Sequence, residues 1–497
     1  MSNSVRLICK EHILNSTEEI VVDAEWKTFD VSHQALHDYL SATGVQRQVV
    51  GAEALDAALP PIEPPPSTGG GPVPPGPVTL LHDVAEGVPV DENAFGFSVL
   101  HAGMPYYTAQ MTPEGGPSAG RMLFRWSRQF GSWTEIEKTP GVYTWSTVEG
   151  AAYLGQRGIH WVLVLTPVAP QAIYNSPLRG PAGSEEPYKK LAKAAYAHFW
   201  DMGMRAHEIC NEPETENWYG SLGHKPANDN ERRQTARELS MWARVAKEAA
   251  NEYHAATGRR VEVWASASQS MANADPSTGL ARVFNDPSAA ANTLYGGAGF
   301  LNGPDGKGGI GAQWLDRFSF HGYPNPTHDG TLLHAHFLKA KNWLKGVGRE
   351  SLPMVVTEHG VLSARNPALG DKSDGSMREW KTDNPYTGKL PAFSNAERCR
   401  WVLNAFAISA IHGARMIWYA WDERYMGIFG YANGPQGGSA TAVLGWVPNH
   451  LEIEVKYKAL REKMIGRKIF SLWKGEDGLL TVLVGAERAS GELIALE

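Results

Sequence analysis

Short apolar runs alternate with amphipathic segments over most of the chain after residue 78. This alternation is typical of β-α units around a parallel sheet. Eight runs can be counted, at residues 94–101, 120–126, 159–169, 206–212, 260–268, 316–323, 352–360 and 414–422. Because a (β/α)8 TIM barrel needs eight strands, the pattern predicts an α/β fold of this type, with its barrel over residues 79–466.

Helix signals occupy the segments between these runs. In one of them Ser394 and Glu397 have the spacing of a capping box, and Gly413 is suited to end the helix. The segment that follows the eighth run predicts a closing helix before residue 467.

Both ends of the chain lack this alternation of apolar runs and amphipathic segments. Residues 60–78 contain nine prolines and four glycines, which is typical of a semi-rigid linker. Residues 1–59 are predicted to form a small α+β module of two strands and a short helix over residues 32–44. Residues 467–497 alternate around two glycines and are predicted to form a short β appendage.

Composition and charge exclude several classes of protein. Hydrophobic residues make up 42% of the chain, so global disorder is excluded, and the net charge of −7 leaves no basic excess for nucleic acid. No apolar run approaches the roughly 20 residues of a membrane span, and the first residues do not read as a signal peptide. We therefore expect no membrane partner and a protein that is cytoplasmic, or delivered outside by a non-Sec route such as a phage particle. The three widely spaced cysteines are expected to be reduced thiols.

Two glutamates stand near the ends of apolar runs. Glu212 is the last residue of the fourth run, in an Asn-Glu-Pro motif, and Glu358 lies at the end of the seventh, in a Thr-Glu-His-Gly motif. Catalytic residues of TIM barrels lie where the strands end, and a carboxylate there is costly to bury unless it is paired or functional. The sequence therefore predicts a catalytic pair rather than a structural salt bridge.

In this strand order the two motifs resemble the acid/base and nucleophile motifs of clan A retaining glycoside hydrolases, over about residues 90–466. Residues 133–145, WTEIEKTPGVYTW, are similar to a pattern of glycoside hydrolase family 39, which includes β-xylosidases and α-L-iduronidases. The resemblance implies double-displacement hydrolysis of a β-linked bond in an oligo- or polysaccharide. Glu212 would be the acid/base and Glu358 the nucleophile, with no cofactor.

The resemblance also implies roles for polar residues close to this pair. Asn211 would hold the sugar 2-hydroxyl. Arg125, at the end of the second run, and Tyr323 would keep Glu358 ionised and oriented.

Histidines near the strand ends raise the alternative of a metal site. His321, His101 and His359 are the candidates, but they lack the pairwise spacing of metal ligands. We therefore expect His321 to hydrogen-bond the sugar and no metal to be bound.

Aromatic residues are expected to line the sugar site. Either Trp418 or Trp421, both in the eighth run, would form a floor under the sugar, and the sequence leaves the choice open. Trp218, with Tyr219, would form an outer subsite. Long segments between the elements slightly favour a groove, and hence cleavage within a chain.

Two alternatives concern binding. A barrel without turnover would be a carbohydrate-binding or adhesion protein, against which the two intact carboxylates argue. The N-terminal module, residues 1–59, would dock the enzyme to a larger assembly, such as a phage tail or polysaccharide-synthesis machinery.

Overall fold

In the computed structural model the chain divides into two compact units, Met1–Thr68 and Gly69–Glu497. Strands are numbered β1–β20 and α-helices α1–α7 in chain order. Apart from a few side chains, the structure describes residues 71–98, 125–146, 148, 151–156, 158–168, 170, 185–212, 229–265, 300–323, 331–361, 395–419 and 451–497. Of six further strands, within residues 4–54 and 365–371, it describes the backbone alone.

The smaller unit contains a four-stranded antiparallel sheet. Its strands are β1 (Ser4–Asn15), β2 (Glu18–Val21), β3 (Glu25–Asp30) and β4 (Val45–Ala54). Strand β1 pairs with each of the other three. Residues 18–31, expected to form one strand, contain both β2 and β3, and β4 is additional. The helix predicted over residues 32–44 lies outside the described residues.

The larger unit contains an eight-stranded parallel barrel. Its strands are β6 (Phe95–Phe97), β7 (Trp126–Ser132), β10 (His160–Thr166), β11 (Met204–Glu208), β12 (Glu262–Trp264), β13 (Phe318–His321), β14 (Met354–Glu358) and β17 (Arg415–Trp418). They are hydrogen-bonded in chain order, and β17 pairs back with β6. A single bridge, Trp264 to Arg317, joins β12 to the start of β13. The predicted TIM barrel is thus confirmed.

Helices surround this barrel. They are α1 (Trp133–Ile136), α2 (Ala152–Gly155), α3 (Glu185–Phe199), α4 (Asp229–Thr257), α5 (Leu332–Gly346), α6 (Asn395–Ile411) and α7 (Leu451–Met464). Helix α3 packs against α4, and α6 against α7, which buries apolar stripes that include Tyr196 and Trp242. Beyond α6, Gly413 adopts the left-handed φ of 66° and its N–H donates to the Ala410 carbonyl, so it ends the helix as predicted. Among the helices that the structure describes, none is long and apolar enough to cross a membrane.

Apolar side chains fill the barrel below the strand ends. They are Trp126, Val162, Ala206, Trp264, Val355 and Ile417. Toward the amino ends, the Arg415 guanidinium lies 4.1 Å from the Trp126 ring centroid and donates to Glu262 at 2.7 Å. Because these groups fill the lower barrel, its carboxyl end is the side on which a ligand would bind.

The stretch that resembles family 39 forms α1 and a hairpin of β8 (Glu137–Thr139) and β9 (Val142–Tyr143). The buried Glu137 accepts hydrogen bonds from Trp133 Nε1 at 2.5 Å and from the Gly141 amide at 2.6 Å. These contacts give the stretch a structural role beside the second barrel strand.

A second antiparallel sheet lies in the same unit. Its strands are β5 (Val78–Pro89), β18 (Lys468–Gly475), β19 (Leu480–Gly485) and β20 (Glu492–Ala495). The short hairpin of β15 (Arg365–Asn366) and β16 (Gly370–Asp371) lies in sequence between the barrel strands β14 and β17. Strand β5 falls in the range expected to begin the barrel, yet it pairs with β18.

Candidate active site

Ionisable side chains from four barrel strands meet at one end of the barrel. Glu208, His321 and Glu358 are the last residues of β11, β13 and β14, and Arg128 lies within β7. Because the strands are parallel, their carboxyl ends form a single rim. The residue Glu212 follows β11 by four positions and reaches the same group.

Arg128 connects the members of this group. Its Nε donates to Glu208 Oε2 at 2.6 Å, its Nη1 donates to Glu358 Oε1, and its Nη2 donates to Asn211 Oδ1 at 2.9 Å. Burial alone would lower the pKa of Arg128, but the two carboxylates outweigh burial and raise it. The fully buried guanidinium therefore stays charged and holds three acceptors in fixed positions.

Glu208 is a fully buried partner that the sequence analysis missed. Besides Arg128, its carboxylate accepts a hydrogen bond from Thr357 Oγ1 at 3.2 Å, while the Ser319 hydroxyl, 3.3 Å away, donates to the Ala265 carbonyl at 2.5 Å. Burial raises its pKa, although Arg128 acts in the opposite direction. Because Glu208 has no exposed surface, it holds Arg128 from within the core.

Glu358 is held from two sides. Tyr323 donates its hydroxyl hydrogen to Glu358 Oε2 at 2.6 Å, while Arg128 binds the other oxygen. Burial, followed by the charge of Glu358, raises the pKa of Tyr323 well above its usual value, so the phenol remains a donor. The predicted contact between Tyr323 and Glu358 is therefore present.

Glu212 lies against His321. The distance from His321 Nδ1 to Glu212 Oε1 is 2.7 Å, and from the same nitrogen to Glu358 Oε2 it is 3.5 Å. Burial lowers the pKa of His321 to about 3, so the ring is neutral and its Nδ1–H donates to Glu212. His321, expected to contact the sugar, thus contacts the predicted acid/base.

The backbone at Glu212 is unusual. Its φ of 36° makes it, within the described ranges, the one non-glycine residue with positive φ. Such strain costs about 1–3 kcal/mol and is found at functional sites, where the surrounding structure enforces it.

The three groups Glu212, His321 and Glu358 could in principle hold a metal ion. One ligand atom from each lies within 4.8 Å of the others. However, the Arg128 guanidinium already binds Glu358, and its positive charge opposes a second cation at the same carboxylate.

The prediction for Arg125 is wrong. This residue precedes β7, at the amino end of the barrel, where its guanidinium donates to the Gly158 carbonyl and lies 3.2 Å from His160 Nε2. The second barrel strand begins at Trp126 instead of ending there. Arg128, and not Arg125, is therefore the arginine that binds Glu358. The alternation of Trp126 and Arg128 was the available signal, because it places both on one face of the strand.

Of the predicted aromatic residues, the structure describes Trp418. Its side chain has no exposed surface and lies edge-on to His359, with ring centroids 5.2 Å apart. It therefore belongs to the core, and in this position it offers no face to a sugar. Trp421, Trp218 and Tyr219 lie outside the described residues.

Comparisons with known proteins find solved structures of low similarity to this chain. No protein-family model matches the chain, and no curated protein does. The chain is similar to the solved structure of a family 39 glycoside hydrolase from the gut symbiont Bacteroides cellulosilyticus WH2, with 12% identity and a TM-score of 0.48, covering 99% of this chain and 83% of that one. It is also similar to PbGH5A, a glycoside hydrolase family 5 enzyme from Prevotella bryantii B14, with 13% identity and a TM-score of 0.41, covering 76% of this chain and 99% of that one.

A third similar structure is the catalytic domain of GH30 xylanase C from Talaromyces cellulolyticus, with 10% identity and a TM-score of 0.41, covering 82% of this chain and 86% of that one. These similar structures are clan A glycoside hydrolases, the group that the two motifs resemble. These structures are too dissimilar to assign an activity to this chain, so a proposal for its activity has to rest on the geometry of the site.

Proposed function

We propose that this protein is a retaining glycoside hydrolase that cleaves a β-linked bond in an oligo- or polysaccharide. The observation that carries the proposal is the spacing of two carboxylates at the carboxyl end of the barrel. Oxygen atoms of Glu212 and Glu358 come within 4.8 Å of each other. Retaining glycosidases place their carboxyl groups about 5–5.5 Å apart, whereas inverting enzymes need about 6.5–9.5 Å to admit a water.

In this proposal Glu358 is the nucleophile. The Arg128 guanidinium binds one of its oxygens and the Tyr323 hydroxyl the other, which fixes the orientation of the carboxylate. Glu358 attacks the anomeric carbon as the bond to the leaving oxygen breaks, which produces a glycosyl-enzyme. The Asn211 amide nitrogen would donate to the sugar 2-hydroxyl, since its oxygen already accepts from Arg128.

Glu212 is the acid/base. The neutral His321 donates to one of its oxygens, which directs the other toward the leaving group. Glu212 gives its proton to the departing oxygen, then takes one from the water that attacks the glycosyl-enzyme. Each turnover thus returns both carboxyl groups to their starting states.

Three variants test the assignment. Glu358→Gln and Glu212→Gln are each expected to reduce turnover by at least about 1,000-fold, because each removes an acting carboxylate. Glu350→Gln, at an exposed glutamate before β14, is the matched control and should keep full activity. Circular dichroism verifies the fold of each variant, and full activity in both site variants would contradict the proposal.

Product stereochemistry and length test the finer points. Proton NMR of the first product from an aryl β-glycoside should show the β-anomer, and an α-anomer would contradict the retaining mechanism. Release of intermediate oligosaccharides from a polysaccharide panel would support endo action. Glycan binding without release by the wild type would favour the alternative of a carbohydrate-binding protein.

The N-terminal module, residues 1–59, stays a predicted docking module. The separation of Met1–Thr68 as a compact unit supports a distinct role for it. Loss of co-sedimentation with a host assembly on deletion of this unit, with turnover retained, is the expected result.

A further inference from the structure

Three histidines meet outside the active site, where β5 of the second sheet packs on the barrel helices. His82 lies on β5, His334 on α5, and His412 directly follows α6. His334 Nδ1 and His412 Nε2 are 2.9 Å apart, and the His82 ring centroid is 4.6 Å from that of His412. One ring nitrogen of each lies within 4.8 Å of the other two.

Packing alone gives a poor account of this cluster. His334 and His412 are 7% and 8% exposed, and within the described part of the chain His412 Nδ1 has no hydrogen-bond partner. A buried polar atom without a partner costs about 1–3 kcal/mol, and an ion bound at His412 Nε2 leaves Nδ1 in this state, so it is the convergence of three imidazole rings, and not this atom, that points to a metal ion.

Two charged side chains act on these rings with opposite effects. Lys341 opposes a cation, whereas Asp83, which is paired with Arg488, favours one.

We infer that His82, His334 and His412 bind one divalent transition-metal ion of the zinc type, which links β5 to two barrel helices. Imidazole nitrogens bind Zn²⁺ at about 2.0–2.1 Å, which in a tetrahedron sets them about 3.3 Å apart. The 2.9 Å spacing of two of them needs only a small outward shift. Water would complete the tetrahedron on the side of the half-buried His82.

Titration of the untagged full-length protein, stripped with a chelator, tests this inference. Co²⁺ should bind at one ion per chain with the visible absorption bands of tetrahedral cobalt, and Zn²⁺ should displace it. His82→Gln and His412→Gln should each weaken binding by at least about 100-fold, because loss of a mere second-shell partner already costs about 10–100-fold. The exposed His254, on α4, supplies the matched control His254→Gln, which should bind normally.

Glu358→Gln separates this site from the active-site carboxylates, and it should bind the metal like the wild type. Binding that is lost in Glu358→Gln but kept in His82→Gln would overturn the inference, as would a folded wild type without saturable binding. His82 is the decisive position if His412→Gln does not fold, since His82 is only half-buried.

Discussion

Replacing Arg128 with methionine tests the central contact of the site. Methionine keeps much of the side-chain volume but removes the three donors that reach Glu208, Glu358 and Asn211. Among the residues that the structure describes, Glu208 would then keep the Thr357 hydroxyl as a donor but would lose the guanidinium that balances its charge. The variant should therefore lose both stability and activity.

The magnitude follows from the burial of both partners. Arg128 and Glu208 have side chains with 0% exposure, and removing one member of a buried ion pair costs about 3–5 kcal/mol of unfolding free energy. The double variant Arg128→Met with Glu208→Gln removes the isolated charge at position 208, although Glu358, whose side chain is 8% exposed, still loses its cation. The double variant should therefore be more stable than the single variant but less stable than the wild type.

Urea unfolding followed by tryptophan fluorescence measures these differences, with turnover measured in parallel. Both variants should lose at least about 100-fold in kcat/KM, because Glu358 has lost its charged donor. The matched control is Arg125→Met, which removes an arginine at the opposite end of the barrel and should leave turnover unchanged. A single variant within 1 kcal/mol of the wild type, or a double variant less stable than the single one, would refute the reasoning.

Two further predictions concern single side chains. Tyr323→Phe removes the 2.6 Å hydrogen bond to Glu358, so it should lower kcat/KM by about 10–100-fold and the free energy of unfolding by at most about 3 kcal/mol; an unchanged rate would contradict the contact. For Glu262, burial would raise the pKa, but Arg415 and Arg317 outweigh it and lower the pKa from 4.5 to about 2. Because the folded-state pKa is lowered, the stabilisation, about 3 kcal/mol, is present above pH 4.5 and is lost as the pH falls toward 2. Wild type and Glu262→Gln should therefore differ in urea midpoint at pH 7 and converge near pH 2, and a constant difference would contradict this assignment.

The barrel was predictable because its signal is local and repeated. Each apolar run indicates one strand from its own residues alone. Eight such runs in alternation with helices are enough to predict a (β/α)8 barrel. The pairing of β5 with β18 was not predictable in this way, since it joins the start of the larger unit to its end. An alternating segment has the same local appearance in either sheet.

The site was partly predictable, for a related reason. Glu358 and Tyr323 follow apolar runs, so their position on the rim could be derived from the sequence. Arg128 could not, because a charged residue inside a strand is read as the end of that strand. The role of Glu208 could not be predicted because its buried charge is balanced by Arg128, a partner 80 positions away in the sequence. The residues next to Glu208 give no indication of this partner. The role of Trp418 could not be decided from the sequence, because an aromatic residue within an apolar run can belong either to the core or to a sugar-binding site.

The charges of the site indicate which carboxyl group can act as the acid. Arg128 bonds Glu208 and Glu358 directly, and His321 beside Glu212 is neutral because burial lowers its pKa to about 3. One guanidinium therefore serves two carboxylates, whereas the partner of Glu212 is a neutral imidazole, which suits Glu212 to the role of proton donor in the proposed mechanism. General acid catalysis contributes about 100- to 10,000-fold to the rate, so Glu212→Gln should lose at least that much in kcat/KM on a substrate whose leaving group needs a proton. With an aryl glycoside whose phenolate leaves without a proton, the loss should be at least about 100-fold smaller, and an equal loss on both substrates would show that another group supplies the proton.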